Sequence, residues 1–343
     1  MTTTNDNNVE MNDSDANKND ALYPPGKSVE GNFMFSGEQI QEGDVAIVYV
    51  NFGCAYAITV RRGQTLQMRF GALRHEYLIG KFWGSKVSAT KGYVHILRPT
   101  AELWTETLEH RTQILYPADI ALISHLLDAR PGSRLLEAGT GSAALTHALA
   151  RTLYPHGRLR SFDVDPERVR VASKELTAHG LAGVATTSLG DVCSAPLEGL
   201  GLEEGWADGL FLDLPRPWEA VALATRALRP GGRFVAFSPC IEQTQRTADA
   251  LRASVFAQIT TVECVPKCLK VMETAQESLE GRTQLPENLA ELFATAREAA
   301  DPRPAKVPKL EKKQDVLLQA VVTAPVQQPT HTGYLTSATF LRY

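Results

Sequence analysis

The sequence predicts an α/β fold: a mainly parallel sheet with helices on both faces, preceded by a small all-β module. Three observations predict it. Between Arg134 and Ser238, short apolar strands alternate with amphipathic helices at the interval of βαβ units. Between Gly43 and Leu97 the pattern is instead one of β-branched and aromatic runs broken by glycine. At Leu135-Leu-Glu-Ala-Gly-Thr-Gly-Ser-Ala-Ala-Leu145 an apolar strand runs into a glycine turn that opens a helix.

In chain order, residues 1–30 are rich in Thr, Asn and Asp and poor in apolar side chains, so they are expected to form a disordered acidic tail. The β-module is expected over 31–100, with strands at Val45–Val50, Ala55–Val60 and Tyr93–Leu97. Residues 101–343 are expected to form the α/β domain. Ile120, Ile123, Leu126 and Leu127 keep helical spacing until Pro131-Gly132 ends the helix. Strand Arg134–Ala138, helix Ser142–Leu153, strand Arg158–Asp163 and helix Pro166–Ala178 follow. Next come strands near Val184–Ser188 and Leu210–Asp213, a helix over Trp218–Leu228 and strand Arg233–Ser238. After Met272 the pattern degrades into a low-order insertion at about 274–330. It holds a helical stretch near Glu287–Ala299 and a basic, Pro-containing run at Arg303–Lys313. Gly333–Phe340 returns to a strand pattern and is expected to close the sheet. Cys264 and Cys268 lack a second pair at zinc spacing, so they read as part of a strand and no metal site is expected.

A chain of 343 residues suggests two domains, and five cysteines are too few for a disulfide scaffold, which points to a reducing compartment. No apolar run approaches membrane-span length, and the start shows no basic region followed by an apolar stretch, so neither a membrane span nor a secretory signal is expected. The net charge of -4, from 35 Lys+Arg against 39 Asp+Glu, argues against a general positive field for nucleic acid. Its distribution changes that reading. The tail carries Asp6, Glu10, Asp13, Asp15, Asp20 and Glu30 against Lys18 and Lys27, leaving a neutral body with a mildly basic β-module. That sign permits a phosphate-bearing partner.

The glycine turn alone is ambiguous. Gly139-x-Gly141-x-x-Ala144, with Asp163 further on, also fits the dinucleotide fingerprint. Three acids tip the choice. Glu137 sits just before the turn, where a pyrophosphate would meet its negative charge; Asp191 and Asp213 end the next two strands. Acids at the carboxyl ends of successive parallel strands line one crevice. With Asp163 they suit a ligand carrying a sulfonium, an ammonium and a ribose diol, S-adenosyl-L-methionine. A nicotinamide dehydrogenase would need a hydride-transfer pocket for which the sequence offers no acid–base signature. Asp213-Leu-Pro-Arg-Pro-Trp218 supplies an acid, stiffening prolines and an aromatic that could form a planar-base pocket, or else a rigid turn with a core Trp. His110 reads as a structural polar residue.

Longer motifs narrow the field. Gly71-Ala-Leu-Arg-His75, Ile79-Gly-Lys-Phe-Trp-Gly-Ser-Lys86, Pro99-Thr-Ala-Glu-Leu-Trp104 and His110-Arg-Thr-Gln-Ile-Leu-Tyr116 are followed by Phe211-Leu-Asp-Leu-Pro-Arg-Pro-Trp218, Ser238-Pro-Cys-Ile-Glu-Gln243 and His331-Thr-Gly-Tyr-Leu-Thr336. Over about 43–340 the chain resembles the eukaryotic tRNA (adenine-N1)-methyltransferase catalytic subunit, which modifies adenosine 58 of the tRNA T loop. The resemblance implies a Rossmann-like class I methyltransferase domain behind a small β-domain. It implies cofactor contacts at Leu115, Glu137, Gly139, Gly141, Ser142, Ala143 and Ala144, with Asp163 and Arg168 at the ribose, Asp191 and Val192 at the adenine, and Asp213 at the reacting centre. It implies tRNA as substrate, a paralogous non-catalytic tRNA-binding subunit in a heterotetramer with two copies of each chain, and the nucleus as location. The alternative is that this chain is itself the non-catalytic paralogue, which predicts a decayed turn and a lost pocket acid; Glu137, Gly139, Gly141 and Asp213 are all kept. The family usually has Gly-Thr-Gly-Ser-Gly-Ser where this chain has Gly139-Thr-Gly-Ser-Ala-Ala144, so alanine is expected to remove access to positive φ there.

Overall fold

A computed structural model describes residues 33–34, 37–51, 53–265, 270–275, 318–323 and 333–341, of which 270–275 and 318–323 are described by backbone alone. The expected tail over 1–30, the helix near 287–299, the basic run at 303–313 and most of the expected insertion lie outside the described residues. The described residues fall in two compact units, those within 1–264 and 331–343 and those within 265–330. In the second, β13 (Lys270–Ala275) and β14 (Leu318–Thr323) form an antiparallel pair.

Glycine-broken β-branched runs form the N-terminal module. Strands β1 (Val45–Asn51), β2 (Cys54–Thr59), β5 (Lys86–Ala89) and β6 (Gly92–Leu97) make an antiparallel sheet in the order β2-β1-β6-β5, and β3 (Thr65–Met68) pairs with β4 (Gly71–Arg74). Strand alternation sends Ala46, Val48, Val94 and Ile96 into a core with Val60, Leu73 and Leu78.

The larger sheet has seven strands in the order β12-β15-β11-β10-β7-β8-β9. Its parallel part is β7 (Arg134–Ala138), β8 (Arg158–Asp163), β9 (Ala185–Leu189), β10 (Ala207–Asp213) and β11 (Leu228–Ser238). β15 (Tyr334–Phe340) inserts antiparallel between β11 and β12 (Phe256–Glu263), as the C-terminal strand pattern predicts. The strands read as nearly continuous apolar runs because both faces are covered. Leu136, Leu210, Leu212 and Phe234 pack on one side; Leu135, Phe211 and Val235 pack on the other.

Among the described residues the α-helices are α1 (Ala101–Thr107), which packs against β1, β2, α2 and α3, and α2 (Pro117–Leu126), α3 (Ala144–Leu153), α4 (Pro166–Ala178), α5 (Val221–Ala227) and α6 (Ile241–Arg252), which flank the sheet. Local signals set several ends. Thr100 caps α1 by accepting from the Leu103 N–H at 3.2 Å, and Asp165 caps α4 by accepting from the Glu167 and Arg168 N–H groups at 2.8 and 3.2 Å. The helix expected over 218–228 is a 3-10 turn (Pro217–Ala220) leading into the shorter α5, and β11 begins at Leu228, ahead of the expected Arg233. Helices α1 and α6 and strands β3, β4, β5, β12, β13 and β14 had no sequence expectation of their own; Cys264, expected within a strand, lies just past the end of β12, and Cys268 lies outside the described residues. α6 opens on a polar run and buries only Thr244, Thr247, Ala248 and Leu251, a stripe too thin to stand out in the pattern.

Strand order reverses between β7 and β10, since β8 and β9 lie beyond β7 while β11 lies beyond β10. The loops after β7 and β10 therefore part and leave a crevice at the carboxyl ends of the strands.

Candidate active site

A cavity of about 430 Å³ occupies that crevice. Its walls come from the segment Thr112–Leu115, the turn after β7, the ends of β8 and β10, and Pro239 and Gln243 at the start of α6. Two glycines make the turn possible. Gly139 has φ +96, and a Cβ on it would overlap the Asp213 carbonyl oxygen. Gly141 has φ +52, and a Cβ there would lie 2.8 Å from Thr112 Oγ1. The glycines thus let the ends of β7 and β10 approach each other and keep the turn close beneath residue 112.

Ala143 departs from the expectation. It adopts the left-handed conformation (φ 61, ψ 24) as the residue before α3, although it carries a methyl group and is fully buried. An αL alanine costs about 1–2 kcal/mol. Its carbonyl accepts from the His147 backbone N–H at 3.1 Å and also contacts His147 Nδ1 at 2.7 Å. Nδ1 must therefore carry the proton, and His147 Nε2, 2.8 Å away, accepts from His179 Nδ1. Burial holds both imidazoles neutral, His147 down at about 4 and His179 at about 3.

Three of the four expected acids converge. Glu137 is 1% exposed; Oε2 accepts from Thr146 Oγ1 at 2.8 Å, and burial pushes its pKa up to about 7. Asp213, at the end of β10, is pushed by burial to about 6. Among the described residues neither forms an ion pair. Asp163 is 4% exposed and is held on both oxygens, Oδ2 by the Gly141 N–H at 3.0 Å and Oδ1 by the Asp165 N–H at 3.0 Å, with Arg168 Nη1 at 3.5 Å. A buried and a half-buried carboxylate without cationic partners, facing one cavity, suit a ligand that brings positive charge.

Of the other expected residues, Leu115, Gly139, Gly141, Ser142, Ala144 and Arg168 line the cavity. Ala143, Asp191 and Val192 do not line it. Asp191 is exposed and turned onto its own loop, accepting from the Cys193 N–H at 2.9 Å and Ser194 Oγ at 2.8 Å; these bonds hold its pKa down. Val192 is buried in the core between sheet and helices. Ser142 lines the wall through a structural bond: its Oγ accepts from the Arg111 and Thr112 N–H groups at 2.9 and 3.1 Å. Arg111 in turn pairs with Glu175 on α4 at 2.5 Å and donates to the Ser142 carbonyl at 3.0 Å. The 111–115 segment is thereby fastened over the start of α3. Pro215 of the Asp213 loop lines the cavity, whereas Trp218 packs under the Arg246 guanidinium at 5.2 Å and does not.

Sequence reasoning missed Thr112, Gln113, Ile114 and Gln243. Gln243 Nε2 donates to the Pro215 carbonyl at 3.0 Å, tying α6 to the proline loop, and its buried Oε1 makes no hydrogen bond to the described residues. The motifs around 110–116 and 238–243 contain these positions, but no spacing rule marks them as neighbours of a turn 30 or 100 residues away.

Comparison with known proteins agrees with this geometry. A catalytic subunit of tRNA (adenine(58)-N(1))-methyltransferase from Cryptococcus neoformans is 44% identical over 229 residues, covering 65% of this chain and 52% of that protein, so the chain spans about half the length of this relative. The corresponding Dictyostelium discoideum protein is 34% identical over 307 residues, covering 88% of this chain and 97% of its own length. Among solved structures, tRNA (m1A58) methyltransferase TrmI from Aquifex aeolicus superposes with a TM-score of 0.63 at 20% identity, covering 89% of this chain and 100% of that chain. A SAM-dependent O-methyltransferase from Thermotoga maritima gives 0.67 at 23% identity, with 89% and 96% covered. At these identities the two structures show the fold alone, a Rossmann-like methyltransferase fold. Residues 92–340 match the family described as the tRNA methyltransferase complex GCD14 subunit, and with most of its length so matched the chain belongs to that family.

Proposed function

We propose that the chain is the catalytic subunit of a tRNA methyltransferase that moves a methyl group from S-adenosylmethionine to N1 of adenosine 58 in the T loop. The observation that carries this reading is the pair of carboxylates without cationic partners, the buried Glu137 and the half-buried Asp213, on either side of the glycine turn at the strand-order reversal. The names of the relatives support it, and the intact turn and pocket acid weigh against a non-catalytic role.

The residues present fit the cofactor. Glu137 would receive the ammonium group, the turn at Gly139 and Gly141 would let the methionine portion lie on the main chain, and Asp163, steadied by Arg168, would receive the ribose hydroxyls. When bound, S-adenosylmethionine supplies a methyl group on a positively charged sulfur. Adenine N1 already has an in-plane lone pair, so no strong base is required. What the protein must supply is alignment, which contributes on the order of 7–11 kcal/mol. Asp213, ionised above about pH 6, would accept from the adenine N6–H, fix the ring, and stabilise the positive charge that grows on the base as N1 gains the methyl. Pro215 stiffens the loop that holds Asp213, and Gln243 anchors that loop. In folded tRNA the adenine must first leave its stack, at a cost of about a few kcal/mol.

The division into a β-domain over 31–100 and a methyltransferase domain over 101–343 then places chemistry in the second and leaves the first free for RNA. A neutral body grips a polyanion weakly, which supports a second, tRNA-binding subunit; that this subunit is a non-catalytic paralogue in a heterotetramer with two copies of each chain, working in the nucleus, is proposed from the resemblance alone. The family's description as a subunit of a complex supports the partnership. The test is transfer of labelled methyl to tRNA by the intact complex, with the product mapped by position. No transfer, transfer away from adenosine 58, or full activity in Asp213→Ala would overturn the proposal.

A further inference from the structure

A second cavity, of about 470 Å³, shares the lining residue Ile114 with the first. Two tyrosines, Tyr49 and Tyr116, contribute to its walls, with Asn51, Glu106 and His110 adding polar edges; Tyr56 also borders it but lies opposite Val48 and packs against the module's core. Tyr116 is 47% exposed, and Asn51, Glu106 and His110 are exposed as well. Nothing in the proposed methyl-transfer step uses these groups.

Tyr49 and Ala55, both in its lining, pair across β1 and β2 of the β-module sheet. Ala55 lies opposite Tyr49, Tyr49 opposite His95, and His95 opposite Lys86. Residues directly opposite in a ladder share a face, so these four form one row across β2, β1, β6 and β5. The module's core occupies the other face, through Ala46, Val48, Val94 and Ile96, and does not require this row. At its far end Lys86 Nζ sits 3.5 Å from the centroid of the Tyr93 ring, which is 50% exposed and meets His95 edge-to-face at 5.8 Å.

We propose that the second cavity takes the base of a nucleotide next to the target adenosine, and that the row from Tyr49 to Lys86 carries the RNA strand leading away from it. The proposal rests on the tRNA reading above and deepens it. Aromatic faces are the common platform for unstacked bases, polar edges read a base rim, and a lysine beside an exposed tyrosine offers a phosphate contact next to a stacking surface. Ile114, which lines both cavities, fits a strand that passes from one to the other. The module carries eight Lys and Arg against four acids over 31–100, the sign this path needs in a chain that is otherwise neutral or acidic.

The experiment uses the full chain in its native complex and tRNA transcripts with 2-aminopurine at each position flanking the target. One flanking position should be quenched on binding. Tyr49→Leu should weaken that quench and raise KM for tRNA about tenfold, the scale of one lost stack, with kcat held within about twofold; Tyr49→Phe should restore both. Lys86→Gln should lower the salt dependence of binding by about one phosphate contact. Affinity for S-adenosylmethionine, read by calorimetry, should stay unchanged in all three. If the wild-type complex methylates tRNA but shows no flanking quench, or Tyr49→Leu keeps the wild-type KM, the second pocket falls and the methyltransferase reading stands. A defect that Tyr49→Phe shares, or one accompanied by lost cofactor affinity, makes Tyr49 a packing residue and overturns the proposal. A wild-type complex that neither binds nor methylates tRNA overturns both.

Discussion

Glu137→Gln should move stability and cofactor affinity in opposite directions. The carboxyl is 1% exposed, and its pKa rises from 4.5 to about 7, first through burial and further through the nearby charges of Asp213 and Asp163; hydroxyls of Thr146 and Ser161 offset part of the rise. A raised folded pKa means that the folded chain keeps a proton the unfolded chain has released. The resulting stabilisation is fully present below about pH 4.5 and is lost as pH rises through about 7. At pH 8 the ligand-free protein therefore carries a buried carboxylate that costs on the order of 3 kcal/mol relative to its protonated form. Glutamine has the same shape, bears no charge and still accepts from Thr146. The ligand-free variant should be more stable at pH 8 by about 2–3 kcal/mol, an advantage that shrinks toward zero at pH 5. The same change removes a charge-assisted contact to the proposed cofactor's ammonium, worth about 1.5–3 kcal/mol, so affinity should fall about 10- to 150-fold. Denaturant titration at pH 5 and 8 and calorimetric titration with S-adenosylmethionine read the two effects. A variant less stable than wild type at pH 8, or one that binds the cofactor equally well, would refute the reasoning.

The two glycines of the turn should differ in sensitivity. Gly139→Ala meets backbone at a φ of +96, so strain and overlap together should cost about 2–4 kcal/mol and lower cofactor affinity at least about 30-fold by calorimetry. Gly141→Ala meets only the Thr112 hydroxyl at an αL angle, so the loss should be nearer tenfold, or about 1–2 kcal/mol. Asp213→Asn should cut tRNA methylation about 100- to 1,000-fold while cofactor affinity changes little. In the wild type, the methylation rate should fall as pH drops through about 6, and that acid limb should vanish in the asparagine variant, as measured by single-turnover rates between pH 5 and 8.

Much of the architecture was legible because its signals are local. β7, β8 and α4 begin and end where the apolar runs and the Asp165-Pro166 start signal place them. Helix α6 escaped notice because a helix needs only a narrow buried stripe when a sheet already offers the surface, and Thr244 and Thr247 supply half of that stripe without looking hydrophobic. From its place beside Asp213, Trp218 could be read as a base-stacking residue or as the core Trp of a rigid turn. Its position was settled instead by α6, which presents the Arg246 guanidinium to its ring.

The sequence by itself determined the strand and helix order, the glycine turn and the presence of an acid at or near the end of each of four strands, because those features depend on backbone preference and short-range periodicity. Only the tertiary structure decided which acids face one another. Glu137, Asp163 and Asp213 converge because strand order reverses between β7 and β10, while Asp191 is satisfied by the N–H and hydroxyl of its own turn and stays out. Ala143 likewise takes a positive φ, against its own preference, at a fully buried position. Tertiary contacts also fasten Arg111 and Thr112 over the turn through Ser142. Those outcomes turn on burial and partners many residues distant, and neither propensity nor spacing along the chain encodes them.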